Sequence, residues 1–304
     1  MELITIDDIR TAARQVADHV VRTPLLAAPW GDAERPLWVK PESLQPIGAF
    51  KVRGAFNAIG ALVASPDPVT GVVAYSSGNH AQAVAFAAAV YGLPAHIVMP
   101  EETPTVKVEA TRRHGARVVL CPAGQRESVA EQVAEETGAV MIPPFDHPRV
   151  IAGQGTIGLE IAADLPDVRS VFIPVSGGGL ASGIGIAIKA LCPSAVVIGV
   201  EPELASIGES EGVLADQIGY PMVGAMVNFG DDRDRFTLTA MYGSGEGDVA
   251  LSAAVSRTLT PGDSQFVDLL HHIGVQRGRL DREPFVERQR IVAIAFVESR
   301  QPIG

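Results

Sequence analysis

The sequence predicts an α/β protein with two open, twisted parallel sheets, each covered by helices. Three observations carry that expectation. Six short, mostly apolar runs, Val72–Tyr75, His96–Met99, Arg117–Leu120, Val140–Ile142, Val171–Pro174 and Val196–Val200, have the length and continuity of strands buried on both faces. Helix-like stretches separate them, at Ala81–Tyr91, Pro104–His114, Glu127–Thr137, Gly155–Ala163 and Ala181–Leu191. Strand, helix, strand in alternation is the pattern that builds parallel sheets. A chain of 304 residues, 47% of them hydrophobic, is also long enough to enclose two cores.

Taken in order, Ile6 to Val21 reads as an amphipathic helix with Thr5 as N-cap and Asp7 and Asp8 in its first turn. Arg22-Thr23-Pro24 breaks it. The Pro-rich stretch Pro143-Pro144-Phe145-Asp146-His147-Pro148 reads as a crossing between domains, and Ala64-Ser65-Pro66-Asp67-Pro68 as a second one. Residues 67–146 would then form a small inserted domain, and residues 1–66 and 147–304 a larger body. The net charge of −11 argues against nucleic acid and anionic membrane surfaces as partners. No stretch approaches a membrane-spanning length of apolar residues, and the first residues are acidic where a secretory leader is basic. Cys121 and Cys192 are too few for a disulfide framework. The expectation is a soluble, cytoplasmic protein.

Three segments carry chemistry. Ser176-Gly177-Gly178-Gly179-Leu180 follows a strand and opens a helix, so backbone N–H groups and a helix N-terminus converge on one small space. That arrangement suits a phosphate, although a tight turn without a ligand is the rival reading. A dinucleotide fingerprint is not met, because Ser182 stands where its third glycine belongs. Ser76-Ser77-Gly78-Asn79-His80 sits in the same way before the next helix and suits a carboxylate, with ordinary capping by Ser77 or Asn79 as its rival. Lys51, in Ile47-Gly48-Ala49-Phe50-Lys51-Val52-Arg53-Gly54-Ala55, lies in an apolar stretch where burial would favour the neutral amine. Its rival reading is a surface lysine beside Arg53.

Together these residues resemble the fold-type II pyridoxal phosphate enzymes, and among them the threonine/serine dehydratases and serine racemases. The resemblance rests on Phe50-Lys51 with Arg53 and Gly54, on Ser76 to Gln82, on Val150-Ile151-Ala152-Gly153-Gln154-Gly155-Thr156, on Ser176 to Leu180 and on Arg22-Thr23-Pro24-Leu25. It runs in the expected order over roughly residues 1–205. The resemblance implies pyridoxal 5'-phosphate in a cleft between the two domains. Lys51 would join the cofactor as a Schiff base and, once released, remove the Cα proton. Phe50 and Asn79 would flank the ring, and Gly177, Gly178, Gly179 and Leu180 would hold the phosphate. Ser76, Ser77, Asn79 and His80 would hold the substrate carboxylate, with Ser77 on the ring face opposite Lys51 and Arg126 as a further substrate contact. The implied activity is a lyase converting L-threonine or L-serine to a 2-oxo acid and ammonia. Racemisation and 3-hydroxyaspartate dehydration begin with the same proton transfer. Sulfhydrylases of this fold fit less well, because His80 stands where they carry threonine. A homodimer is the family expectation.

The pattern departs from the family in places. Ala49 replaces a common serine. Glu201 and Ala205 match two of three positions that hold a divalent cation in relatives, but Ile207 cannot supply the third, so a missing or weakened metal site is expected. The serine that faces the pyridine nitrogen is not evident; Ser299, after the apolar run Ile291–Val297, is the stand-in. The charged segments Gly230-Asp231-Asp232-Arg233-Asp234-Arg235 and Gln276–Arg290 read as loops or solvated helices. Either this third has diverged or its reading frame changed upstream, and a catalytically impaired homologue is the reading from a different class.

Overall fold

The computed structural model describes residues 4–28 and 36–200, and beyond them the backbone of four strands, 223–229, 236–242, 249–255 and 291–295. Helix α1 (Ile6–Val16) starts where the sequence places it. Thr5 Oγ1 accepts from Asp8 N at 3.3 Å and Asp8 Oδ2 accepts from Thr5 N at 2.7 Å, a reciprocal capping box. It stops at Val16 rather than Val21. Beyond it the chain turns so that the His19 ring stacks on Phe56 at 4.5 Å, and Val21 exchanges backbone hydrogen bonds with the Gln45 amide. Strands β1 (Leu26–Ala27) and β2 (Leu37–Pro41) form an antiparallel pair, and Lys51 opens helix α2 (Lys51–Val63).

One sheet lies entirely within residues 72–141. Its strands are β3 (Val72–Tyr75), β4 (Ala95–Pro100), β5 (Arg117–Cys121) and β6 (Val140–Met141), all parallel in the order β5-β4-β3-β6. Helices α3 (Asn79–Val90), α4 (Thr105–Arg112) and α5 (Arg126–Thr137) alternate with them, as expected. Ile142, just past β6, still donates its N–H to Val73 O at 2.8 Å.

Helix α6 (Pro148–Asp164) begins well before Gly155, the expected start. Pro148 suits a first helical position, and His147 Nδ1 accepts from Arg149 N at 3.2 Å. The glycines of this stretch lie at helix crossings. A Cβ on Gly153 would lie 2.6 Å from Arg53 O, and one on Gly183 would meet Ile151 O. Helices α2, α6 and α7 (Gly179–Leu191) therefore approach backbone to backbone. The second sheet joins β1 and β2 to β7 (Ser170–Pro174), β8 (Val196–Val200) and a late strand, β12 (Ile291–Ala295), in the order β1-β2-β12-β7-β8. Strand β12 runs parallel between β2 and β7. The apolar run noted ahead of Ser299 is thus an interior strand of the larger sheet.

Strands β9 (Val223–Phe229), β10 (Phe236–Tyr242) and β11 (Val249–Val255) make a third, antiparallel sheet, a departure from an all-parallel expectation. The alternating pattern behind that expectation ends near β8. Glu201, Ala205, Ile207, Ser299 and the charged segments 230–235 and 276–290 lie outside the described residues.

A buried network of four charged side chains holds this body together. Lys40, Glu42 and Arg53 have no solvent exposure. The Arg53 Nε and one terminal nitrogen donate to the two Glu42 oxygens at 2.8 and 2.9 Å. Its terminal nitrogens also donate to both Glu160 oxygens, at 2.6 and 3.0 Å, to Thr156 Oγ1 at 3.1 Å and to Val21 O at 3.1 Å. Lys40 Nζ donates to Glu160 Oε2 and to Thr23 O, each at 2.5 Å. Thr23 Oγ1 donates to Glu42 Oε1 at 2.7 Å. Burial lowers the Lys40 pKa, and the Glu160 charge opposes that shift. Two cations and two anions tie β2, the 3-10 turn Glu42–Leu44, α2, α6 and the Val21–Thr23 segment to one another. Removing one partner leaves unpaired buried charge. Arg53→Leu should therefore lower unfolding stability by about 3–5 kcal/mol, measured by urea denaturation.

Candidate active site

Lys51 is the first residue of α2 and follows Phe50, whose ring is buried in the core beside Leu180. Lys51 is half-buried. Its Nζ donates to Pro144 O at 2.5 Å and lies 5.4 Å from the Phe50 ring centroid. Burial pushes its pKa down from 10.5 to about 8. At pH 7 about a tenth of such an amine is neutral, far more than of an ordinary lysine, so it can act as nucleophile or base. The surface-lysine reading does not hold, and Arg53 beside it is fully buried.

The Ser76–His80 turn joins β3 to α3. Capping by Ser77 or Asn79 does not occur. Gly78 is the N-cap, and no side chain caps it. Ser76 Oγ instead accepts from Gly78 N at 3.2 Å. The first N–H groups of α3 have no partner within the helix, which is the arrangement an anion site needs. Ser76, Ser77 and Asn79 are partly exposed there, whereas His80 is buried. The His80 Nε2 lies 2.8 Å from Ile142 O, which can only accept, so Nε2 carries the proton. Its Nδ1 is buried without a hydrogen-bond partner among the described residues. Burial above all, and the nearby Lys51 charge, push the His80 pKa down to about 3. The ring is neutral, and it is the backbone N–H of His80 that the helix start offers to an anion.

Helix α7 opens in the same way. Gly178 is its N-cap at φ 80°, a left-handed conformation that favours glycine, again without a side-chain cap. A Cβ at Gly177 would overlap the Phe145 ring, and one at Gly179 would lie 2.7 Å from Phe145 O. Side chains are excluded here; Gly179 N donates to Gly177 O at 3.0 Å, and the other first-turn N–H groups have no partner within the helix.

The strap Ile142-Pro143-Pro144-Phe145 brings the three segments together. Ile142 O meets His80, Pro144 O meets Lys51, and Phe145 lies on Gly177 and Gly179. The sequence marked this stretch only as a domain crossing. Its two prolines could have flagged it, because they donate no hydrogen bonds and leave their carbonyls to outside donors. Arg126 opens α5 and lies 5.9 Å from the Tyr75 ring, at the end of the strand that leads into Ser76. A cleft of about 390 Å³ near it, lined by Tyr75, Glu127, Glu131, Ala134, Glu135 and Met141, contains none of the other site residues. Glu201, Ala205 and Ser299 lie outside the described residues. Among the described residues no group of three or more His, Cys, Asp or Glu side chains could hold a metal ion.

These residues fit pyridoxal phosphate. An enclosed, partly neutral amine matches its aldehyde, and the uncapped glycine start of α7 matches its phosphate without needing a cation. A family model described as pyridoxal-phosphate dependent enzyme matches residues 16–236. The L-threonine ammonia-lyase of Thermotoga maritima is 47% identical over 208 residues, 66% of this chain and 51% of that protein. A serine racemase of Oryza sativa is 43% identical over 202 residues, 65% of this chain and 59% of that protein. The chain thus spans little more than half the length of these curated relatives. The structure of maize serine racemase superposes with a TM-score of 0.71 at 31% identity, covering 99% of this chain and 95% of that one. Both the matching family and that neighbour mark the architecture as fold-type II.

The lowered Lys51 pKa has a stability consequence. Between about pH 8 and 10.5 the unfolded chain holds the proton and the folded chain does not, so stability rises with pH across that window. Below pH 8 burying the charged amine costs its full amount. Lys51→Met should therefore raise the melting temperature at pH 7, by roughly 2–4 °C, and flatten the rise between pH 8 and 10.5, followed by calorimetry without cofactor.

Proposed function

The chain belongs to the pyridoxal-phosphate dependent enzymes, and from that premise we propose that it is an ammonia-lyase acting on L-threonine or L-serine. The observation that carries this reading is the Lys51 amine, held at Pro144 O one residue from the aromatic ring that packs on the glycine loop. Pyridoxal phosphate, when bound, supplies an electron sink that makes the Cα proton of an amino acid removable.

The chain supplies position and proton transfer. Lys51 Nζ would hold the cofactor at its aldehyde and, as the free amine, would take the Cα proton. The N–H groups of Gly177, Gly178, Gly179 and Leu180 would hold the phosphate, and Phe50 and Asn79 would flank the ring. The start of α3 holds the substrate carboxylate through Ser76, Ser77, Asn79 and the His80 N–H, and Arg126 reaches the same end of β3. With the carboxylate fixed at α3 and the phosphate at α7, the Cα–H bond is presented to Lys51. Loss of that proton and of the β-hydroxyl, followed by hydrolysis, converts the hydroxy amino acid to a 2-oxo acid and ammonia. The 67–146 segment serves as the inserted domain that carries α3. A homodimer acting on a small amino acid completes the reading, and Ser299, outside the described residues, is the residue that would serve the ring nitrogen.

Ser77 supports a second activity. Its hydroxyl belongs to the same turn as the carboxylate site, and a proton returned from the face opposite Lys51 gives the enantiomer. Serine racemase, or 3-hydroxyaspartate dehydratase, is then the alternative within the same chemistry. A divergent or frame-altered last third, which would leave a catalytically impaired homologue, is the alternative outside it.

Protein incubated with pyridoxal phosphate should turn yellow and lose that colour on borohydride reduction. L-Threonine or L-serine should yield oxo acid, and Lys51→Ala should lower the rate by at least about a thousandfold. Enantiomer formation from L- or D-serine, followed in the same tubes, separates lyase from racemase. A protein that stays colourless would point to the impaired homologue.

A further inference from the structure

We propose that His80 is a positioning residue for Lys51, acting through the strap that joins β6 to α6. The proposal rests on Lys51 being the working amine. Past Ile142 the strap loses the support of its sheet, because Pro143 and Pro144 have no N–H to donate. Ile142 N is its last ladder bond, to Val73 O. Two side-chain donors then hold the strap's carbonyls, His80 Nε2 on Ile142 O and Lys51 Nζ on Pro144 O. These carbonyls lie one residue apart on either side of Pro143.

The His80 bond and the Lys51 bond come from different elements. His80 lies in the first turn of α3 and its ring is fully enclosed, so it ties the strap to the sheet that carries the anion turn. Lys51 ties the same strap to α2. When the Lys51 amine leaves Pro144 O to do chemistry, the His80 bond is the side-chain tether that keeps Pro144 and Phe145 in place. Phe145 in turn lies on Gly177 and Gly179, so strap and glycine loop keep their spacing. His80 also stays neutral as a consequence of its burial, which leaves a single positive charge to settle at Lys51. In this geometry the ring is a brace and touches no reacting atom.

The test reads Lys51 itself in protein free of cofactor. Reductive methylation of the lysines, with peptide mass spectrometry across pH 6 to 11, reports the neutral fraction of each amine. His80→Phe keeps a ring but removes the donor, and His80→Gln keeps an N–H. With the brace gone, the strap over Lys51 loosens, more water surrounds the amine, and its pKa returns toward the ordinary value. Lys51 labelling at pH 8 should then fall by about tenfold or more in His80→Phe, stay within about twofold of the parent in His80→Gln, and leave Lys107 unchanged in both. A folded His80→Phe protein that labels Lys51 like the parent overturns the proposal, and so does a folded His80→Gln protein that behaves like His80→Phe. Should His80→Phe fail to fold, ¹⁵N histidine shifts of the unmodified protein decide. A proton fixed on Nε2 with bare Nδ1 from pH 5 to 9 supports the brace, and titration or tautomer exchange in that range overturns it. The lyase reading fails separately, by the absence of colour with pyridoxal phosphate, so the two outcomes are distinguishable.

Discussion

A guanidinium removed from water must find acceptors for its N–H groups and an opposite charge close by, or the fold around it fails. Arg53 meets both demands by drawing in Glu42, Glu160, Thr156 and Val21 O at once. Those partners come from three separate parts of the chain, the turn after β2, helix α6 and the segment after α1. Satisfying one side chain therefore fixes where β2, α2, α6 and the segment after α1 stand. Lys51 lies on the same first stretch of α2, two residues before the clamp. Its reach to Pro144 O is set by a helix that cannot slide without breaking charge pairs in a dry interior.

The anion sites follow from a different economy. Helices α3 and α7 both begin without a side-chain cap. Ordinary helices fill that position with Ser, Thr, Asp or Asn and gain stability by doing so. Among the described helices α1 and α6 carry a side-chain cap and the other five do not, but only α3 and α7 place a glycine at the N-cap. Withholding a cap leaves N–H groups and partial positive charge free for a carboxylate or a phosphate. The glycines at 177 and 178 serve the same end, since one yields to the Phe145 ring and the other adopts a left-handed turn.

Burial then divides the titrating groups by task. The same low-dielectric surroundings move Lys51 down to about 8 and His80 down to about 3. The first remains able to gain and lose a proton near neutrality. The second is locked neutral, with its proton on the nitrogen that faces Ile142 O. A reactive amine and an inert brace thus arise from one environment, because lysine and histidine start from different intrinsic values.

The sequence by itself determined the parallel order of elements between β3 and β8, the helix start at Thr5, and the glycine turns that open α3 and α7. These are local properties: apolar runs of strand length, a capping box, and glycine at strand-to-helix junctions. It did not reveal that α2 begins at Lys51, or that α6 runs through Gly153 and Gly155. A glycine reads as a break until a second helix is seen lying against it. Tertiary structure alone decided that Arg53 is buried, that Ile291–Ala295 enters the larger sheet between β2 and β7, and that the Pro143-Pro144 stretch is part of the site. Each of these depends on contacts between residues far apart in the chain, and an isolated segment carries no record of the partner it will meet.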